Sequence, residues 1–277
     1  MPTSDYSARR AAFRNLHESG CFVIPNPWDA GSARYLRYLG FQALATTSAG
    51  FAYTLGLPDA AVSRDAMLGN IADIVAAVDL PVNADFEAGY ARDPEGVEAN
   101  VRLCVETGVA GLSIEDATGD PANPLFELPL AIERIRAARA AIDSSGSGVL
   151  LTARAECYLV GHAEPFQESL RRLHAYSKAG ADVLYAPGIS QASEIKIVVA
   201  ELSPKPVNIL MSRNTGLTVA DLAELGVRRI SVGSSLARAA WTGFMRAAES
   251  IAKEGSFSGF DGLVPYADIN ALFRKSS

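Results

Sequence analysis

The stretch "VNADFEAGY", residues 82–90, ends an apolar run with Asp85 and then Glu87, one residue apart. Side chains two apart on a strand project to the same face, so a strand running through both would aim two carboxylates at one place. A second acid pair, Glu115 and Asp116, closes "GLSIEDA", and "LLTARAE" closes on Arg154 and Glu156. Acids gathered in a low-dielectric pocket repel one another unless protons or a cation offset them. Two readings follow: Asp85, Glu87 and Glu115 converge on a metal, or these acids pair with Arg154 and cap helices. Structural ion pairs are common, and a lone acid pair favours the second reading. Glu115, on the next strand, tips the balance to the first. All-oxygen ligands select a hard ion, so magnesium is expected, with manganese a fair substitute. Arg154 then reads as a bidentate clamp for a substrate carboxylate or phosphonate, compatible with a salt bridge to Glu115 or Glu156.

Around these stand lesser candidates. Ser48, Ala49 and Gly50 are small residues whose amides can face an anion, and Asn208 lies in a later apolar run. Of the histidines, His17 and His174 read as surface or packing residues, and His162 in "YLVGH" as a second-rank acid–base candidate. Cys157 reads as packing. Asp29 reads as a helix N-cap, with Trp28 walling the pocket. In "SVGSSLARA", residues 231–239, glycine and serine amides at a helix start could bind phosphate. An ordinary Ser N-cap is favoured there, because "MSRNTG" offers no matching glycine-rich turn.

The elements that must position these residues follow from repetition. Gly40, Gly108, Gly180 and Gly226 each precede an apolar run, as a helix-ending glycine precedes a strand. Eight such runs are Cys21–Pro25, Ala43–Thr47, Val82–Phe86, Gly111–Glu115, Val149–Arg154, Val183–Ala186, Val207–Met211 and Arg229–Val232. Helix-capable segments separate them. Alternation of this kind implies a parallel sheet, and eight units imply a closed (β/α)8 TIM barrel, with chemistry at the carboxyl ends of the strands. An open doubly wound sheet is the alternative, but no G-x-G-x-x-G follows the first strand. The expected organisation is one domain over 1–277, with its core at about 20–235 and a helical extension over 236–277. Tyr6, Phe13 and Leu16 suit an N-terminal helix plugging the base. Leu236, Ala240, Phe244, Ala247 and Ile251 share one helical face, and Tyr266, Ile269 and Phe273 another. These surplus faces predict a homo-oligomer.

Bulk properties narrow the class. The chain has 277 residues, 49% of them hydrophobic, with 31 acids against 25 bases. No basic run marks a nucleic-acid footprint, and no stretch resembles a membrane span or a signal peptide's apolar core. Cys21, Cys104 and Cys157 are widely spaced without CxxC, as expected of reduced cytoplasmic thiols.

From Pro25 to Gly233 the chain resembles the isocitrate lyase/phosphoenolpyruvate mutase superfamily. "PNPWDAGSARYLRYLGFQALATTSAG" is similar to the family's first unit, and "AYTLGLPD" to its mobile segment ending in a catalytic aspartate, here Asp59. "VNADFEAGY" resembles the metal-site strand D-x-D-T-G-[FY], with Glu87 for the second Asp and Ala88 for Thr. "GLSIEDA" matches the strand supplying Glu115, and "ARAECYLVGH" the strand supplying Arg154. The resemblance implies magnesium with Asp85 as direct ligand, and Glu87 and Glu115 holding its waters. It further implies amides of residues 48–50 gripping a carboxylate, a lid carrying Asp59, and a C-terminal helix exchanged within a dimer or tetramer.

The departures bear on activity. After Glu115 the chain reads "DATGDPANPLFEL", without the K-[KR]-C-G-H motif of isocitrate and 2-methylisocitrate lyases. Asn123 can stand for the mutases' lid asparagine, but their lysine is absent. The expectation is a magnesium-dependent lyase acting on a small 2-oxo or 2-hydroxy dicarboxylate, oxaloacetate decarboxylation included, through a metal-stabilised pyruvate enolate. Carbon–phosphorus chemistry on phosphonopyruvate and a non-catalytic metabolite-binding barrel are the alternatives.

Overall fold

The computed structural model describes residues 6–275. The outer bounds 1 and 277 expected for the domain lie outside the described residues. The strands are β1 (Phe22–Ile24), β2 (Leu44–Ala45), β3 (Val82–Asp85), β4 (Gly111–Glu115), β5 (Leu150–Arg154), β6 (Val183–Tyr185), β7 (Val207–Leu210) and β8 (Arg229–Ser231). Each lies within two residues of its expected run. Every ladder is parallel, in the order β1-β8-β7-β6-β5-β4-β3-β2. First and last strands are thus neighbours, and a 3.0 Å bond from the Ala45 amide to the Pro25 carbonyl brings β2 round to β1. The fold is a (β/α)8 barrel, and the open sheet is excluded.

Helices α1 (Ser7–Leu16), α2 (Ala30–Tyr38), α3 (Ser48–Thr54), α4 (Arg64–Ala77), α5 (Pro94–Glu106), α6 (Leu128–Ser144), α7 (Pro165–Lys178), α8 (Ala192–Leu202) and α9 (Val219–Glu224) precede the extension α10 (Ser235–Glu254) and α11 (Tyr266–Lys275). The glycines expected to end helices sit at positive φ; at Gly108, with φ of 92°, a Cβ would also lie 2.4 Å from the Tyr6 ring.

Alternation along the strands sorts the residues into two cores. Outward side chains such as Ala84, Leu112, Leu151 and Ile209 pack on helix faces including Ile71, Val101, Ile135 and Leu173. Inside the barrel, Phe22, Ile24, Ala43, Ala45 and Leu150 form a smaller apolar floor closed by Phe13 of α1, which has no exposed surface. The expected plug therefore rests on Phe13, with Leu16 partly buried against it, while Tyr6 packs on the outer core. Burying a phenylalanine is worth about 1.5–3 kcal/mol, enough to hold a short helix in place.

Above that floor the interior turns polar. Asn83, Ser113, Thr152, Asn208, Arg229 and Ser231 are buried where barrels usually carry branched aliphatics. Arg229 reaches down to the plug, its Nη1 lying 3.4 Å from His17 Nε2, while His17 Nδ1 lies 2.7 Å from the Phe13 carbonyl. The His17 ring also meets Phe13 and Phe22 edge-on. His17 is thus a packing residue, whereas His174 sits near the surface, 3.8 Å from Glu201.

The extension leaves much apolar surface uncovered. Phe244, Met245, Phe257, Leu263 and Tyr266 are exposed, and α11 touches α2 of its own chain. Among the described residues no helix is long and apolar enough to cross a membrane.

Burial, then the nearby Arg229 charge, pulls the His17 imidazole down to about 3 from 6.5. The unfolded chain therefore takes up a proton first as pH falls, so stability held above pH 6.5 drains toward pH 3. We expect His17→Gln to flatten urea-denaturation stability between pH 6.5 and 4, by roughly 3 kcal/mol relative to wild type.

Candidate active site

The strand registers place the charged residues at one level. Asp85 ends β3, and β4 and β5 set Glu115 directly opposite Arg154, which in turn lies opposite Tyr185 of β6. Arg154 meets an acid at each nitrogen: Nη1 to Asp85 Oδ1 at 2.8 Å, Nη2 to Glu115 Oε2 at 3.1 Å, and Nε to Glu156 Oε1 at 2.8 Å. Its guanidinium also lies 5.2 Å from the Tyr185 ring centre. Asp85 is fixed from the other side, where the Ser48 amide and hydroxyl both donate to Oδ2 at 3.0 Å. The Asp85 amide donates to Thr46 Oγ1.

Glu87 joins this group by a different route from the one its spacing implied. β3 stops at Asp85, and Glu87 takes the left-handed region at φ 46°. A turn, not strand alternation, swings its carboxylate into the cavity, where Tyr90 Oη donates to Oε1 at 3.0 Å. Asp59 stands at the rim, accepting from the Ala60 amide at 3.0 Å and within 3.5 Å of Ser48 Oγ. Asp85, Glu87, Glu115, Asp59 and Arg154 therefore line one cavity of about 230 Å³, together with Ser48, Ala49 and Asn208.

Several expectations are corrected by packing. Gly50 is absent from the cavity lining: its amide donates to Thr47 Oγ1, and a Cβ there would lie 3.1 Å from Trp28 Cβ and 3.2 Å from Ala237 Cβ. With the Ser48 amide committed to Asp85, two of the three amides expected to grip an anion are occupied. Trp28 walls a different groove, beside Asp29, Arg34 and Phe51. Asp29 caps α2 as expected, accepting from the Ser32 amide at 2.7 Å. His162 is exposed and accepts from the Glu164 amide, and Asn123 bonds Asp120 in an outer loop. Cys157 is fully buried. At residues 231–239 Ser234 takes the favoured N-cap position of α10, though without a side-chain cap bond, and Asn26 Oδ1 accepts from the Val232 and Gly233 amides.

Other contributors carried no sequence signal of their own. Asn26, Thr46 and Tyr185 are ordinary residues in strand ends, and Arg229 sits at the start of a strand rather than its end. Asp116 faces away from the cavity; it accepts from the Glu156 amide at 2.8 Å and pairs with Arg172, fixing the acid that aligns Arg154. Tyr90 could have been singled out by its three-residue offset from Glu87.

Charge is out of balance here. Five carboxylates, of Asp59, Asp85, Glu87, Glu115 and Glu156, line the cavity against two guanidiniums. Burial, only partly countered by the Tyr90 hydrogen bond, lifts the Glu87 carboxyl to about 7. Burial lifts Glu115 well above the carboxylate range, against the pull of Arg154, and raises Asp59, with Asp85 adding to it. Among the described residues no three acidic, histidine or cysteine side chains converge tightly enough to enclose an ion. Magnesium takes one or two protein carboxylates and keeps its waters, so an oxygen-only pocket with surplus negative charge fits that ion without such a cage.

A parallel barrel whose strand ends carry this acid–arginine cluster has the layout of an enzyme active site. The family model for phosphoenolpyruvate phosphomutase matches residues 13–252, and the chain is a member of that family. A Burkholderia cenocepacia lyase/mutase candidate superposes with a TM-score of 0.93 at 48% identity, covering 97% of each chain. The structure of 2,3-dimethylmalate lyase, a PEP mutase/isocitrate lyase superfamily member, gives 0.83 at 28% identity over 99% of this chain and 94% of that one. Oxaloacetate decarboxylase 1 of Pseudomonas putida is 30% identical over 243 residues, 84% of this chain and 81% of its own. The protein is an enzyme of this superfamily.

Native Glu87 keeps its proton up to about pH 7, whereas the unfolded chain releases it near 4.5. Stability therefore falls as pH rises through that window. In chelator-treated protein, Glu87→Gln should be about 1–2 kcal/mol more stable than wild type above pH 7, by urea denaturation, after discounting for partial solvation. The difference should shrink when magnesium is added.

Proposed function

We propose that the enzyme is a magnesium-dependent lyase cleaving a carbon–carbon bond of a small 2-oxo or 2-hydroxy dicarboxylate. The observation carrying this reading is the surplus of carboxylates around Asp85 at the barrel's carboxyl end, within a cavity sized for a small metabolite. Asp85 is the direct ligand, and Glu87 and Glu115 hold the ion's waters. Manganese is an acceptable substitute on the same donor chemistry. A bound cation would supply positive charge beside the carboxylate and 2-oxygen of the substrate's reacting end.

The chain's own groups do the remaining work. Ser48 and Arg154 clamp Asp85 from two sides, so the ligand oxygens are preorganised. Arg154 is already committed to three acids, which makes it a scaffold for the reacting end of the substrate. Asp59 at the rim has a raised affinity for protons, as suits a group that holds or transfers one while closing the site. Glu87 in the cavity shares that raised proton affinity, so carboxyl groups suit the proton transfer. The 2,3-dimethylmalate lyase and oxaloacetate decarboxylase likenesses support carbon–carbon cleavage. The family match leaves carbon–phosphorus chemistry as the second reading, recognisable by phosphate or phosphoenolpyruvate formed from phosphonopyruvate.

The exposed apolar faces of α10 and α11 support assembly into a homodimer or homotetramer, with exchange of a C-terminal helix as one way to cover them. The three free thiols accord with a reducing, cytoplasmic setting.

With magnesium, purified protein should release 2-oxo acid from oxaloacetate or a substituted malate above the metal-only rate. Asp85→Ala should lower turnover by at least about 100-fold. Absence of turnover on all of these substrates would refute the lyase reading. Light scattering should give a mass at least twice the 29.3 kDa of one chain. Phe244→Glu should shift that mass toward the monomer.

A further inference from the structure

Below the carboxylates the cavity continues down the barrel axis, past Asn208 and Ser231 to Arg229. This arginine is 3% exposed and faces neutral partners. Nε donates to Asn208 Oδ1 at 2.9 Å, Nη2 donates to Thr152 Oγ1 at 2.9 Å, and Nη1 lies beside His17. No carboxylate among the described residues pairs with it. A buried cation without a counter-ion is costly, yet this one borders open space. Burial drops its own proton affinity, and its charge helps to keep His17 neutral. The two cavity arginines thus differ in kind: Arg154 is saturated with acids, and Arg229 has none.

We infer that Arg229 receives the far carboxylate of a four-carbon dicarboxylate lying along the barrel axis, its 2-hydroxy acid end among the upper carboxylates. The identity of that upper end rests on the lyase reading; the lower receptor stands on the geometry of Arg229. Its position bears on which bond-breaking is favoured. In decarboxylation the far carboxylate leaves as neutral carbon dioxide, so a guanidinium holding it ionised opposes the step. In aldol-type cleavage the hydroxyl proton passes to a carboxylate such as Asp59 and the C2–C3 bond breaks. C2 becomes the carbonyl carbon of a 2-oxo acid. The released pair moves onto C3 and into the far carboxylate, beside Arg229, until C3 takes a proton. Negative charge grows toward the guanidinium in this case. The site therefore selects 2-hydroxy dicarboxylates over oxaloacetate.

Calorimetric binding to the magnesium-loaded protein tests this with two probes: oxalate, which spans only the upper half, and racemic malate, which spans both. Arg229→Met should weaken malate by at least about 30-fold and oxalate by less than about threefold. Should Arg229→Met fail to fold, Asn208→Asp, which puts a carboxylate where Arg229 Nε now donates to an amide oxygen, should give the same split. Equal losses on both probes would make Arg229 a structural prop and overturn the inference. So would malate that fails to bind wild type, or malate affinity unchanged in the variants. Faster turnover of oxaloacetate than of every 2-hydroxy dicarboxylate would overturn the selection. Wild-type turnover with unchanged malate binding in Arg229→Met defeats this inference alone, whereas the predicted split without any turnover defeats the lyase reading alone.

Discussion

The mouth of this barrel depends on one guanidinium shared among three carboxylates. Arg154 holds Asp85, Glu115 and Glu156, residues contributed by three adjacent strands or their ends, at 2.8–3.1 Å. Without that charge the acids would repel each other across a largely buried space. The arginine does not neutralise the group, since Glu87 and Asp59 add to it from a turn and a rim loop. The result is an arrangement short of positive charge, held rigid by its one ion-pair hub. Buried ion pairs contribute little to stability after desolvation; here their value lies in fixing oxygen positions. Asp116 and Arg172 behind the barrel wall extend the same logic, because they immobilise the loop that carries Glu156.

The interior is graded along its axis. Phe13, Phe22 and Leu150 make an apolar floor, neutral polar side chains fill the middle, and acids crowd the top. Small residues permit this gradation. At Gly111 a Cβ would sit 2.6 Å from the Phe13 ring and 2.7 Å from Asn83 Oδ1, so the plug and the polar layer meet there through a missing side chain. The floor excludes water from below, and Arg229 ties β8 to β5, β7 and the plug.

Architecture was legible because it is written in repetition. Short apolar runs, helix-ending glycines and even spacing are local signals, and every strand fell within two residues of its run. The top of the site was legible for a related reason: once strand ends are known, Asp85, Glu115 and Arg154 are simply what occupies them. Errors arose where side-chain position depends on the backbone between elements. Glu87 follows a positive-φ turn that period-two reasoning does not anticipate, and Gly50 looks like an anion-binding residue until Trp28 is packed against it. At 231–239 a Ser N-cap was the favoured reading, but the oxygen that accepts from the Val232 and Gly233 amides comes from an asparagine more than two hundred residues earlier in the chain. No local pattern encodes that contact.

Arg229 shows why position in the strand matters as much as residue type. A residue at a strand's start ordinarily serves the packing of the barrel core rather than its chemistry. Yet a strand of three residues spans only about 10 Å, and an arginine side chain covers much of that length. In a barrel with such short strands, the first residue of β8 lines the same cavity as the last residue of β5. The customary division into a catalytic top and a stabilising bottom therefore blurs in this molecule. What separates the two ends is the sign of their uncompensated charge: negative where the carboxylates gather, positive where Arg229 stands alone. A ligand bearing positive charge at one end, through its metal, and negative charge at the other would satisfy both.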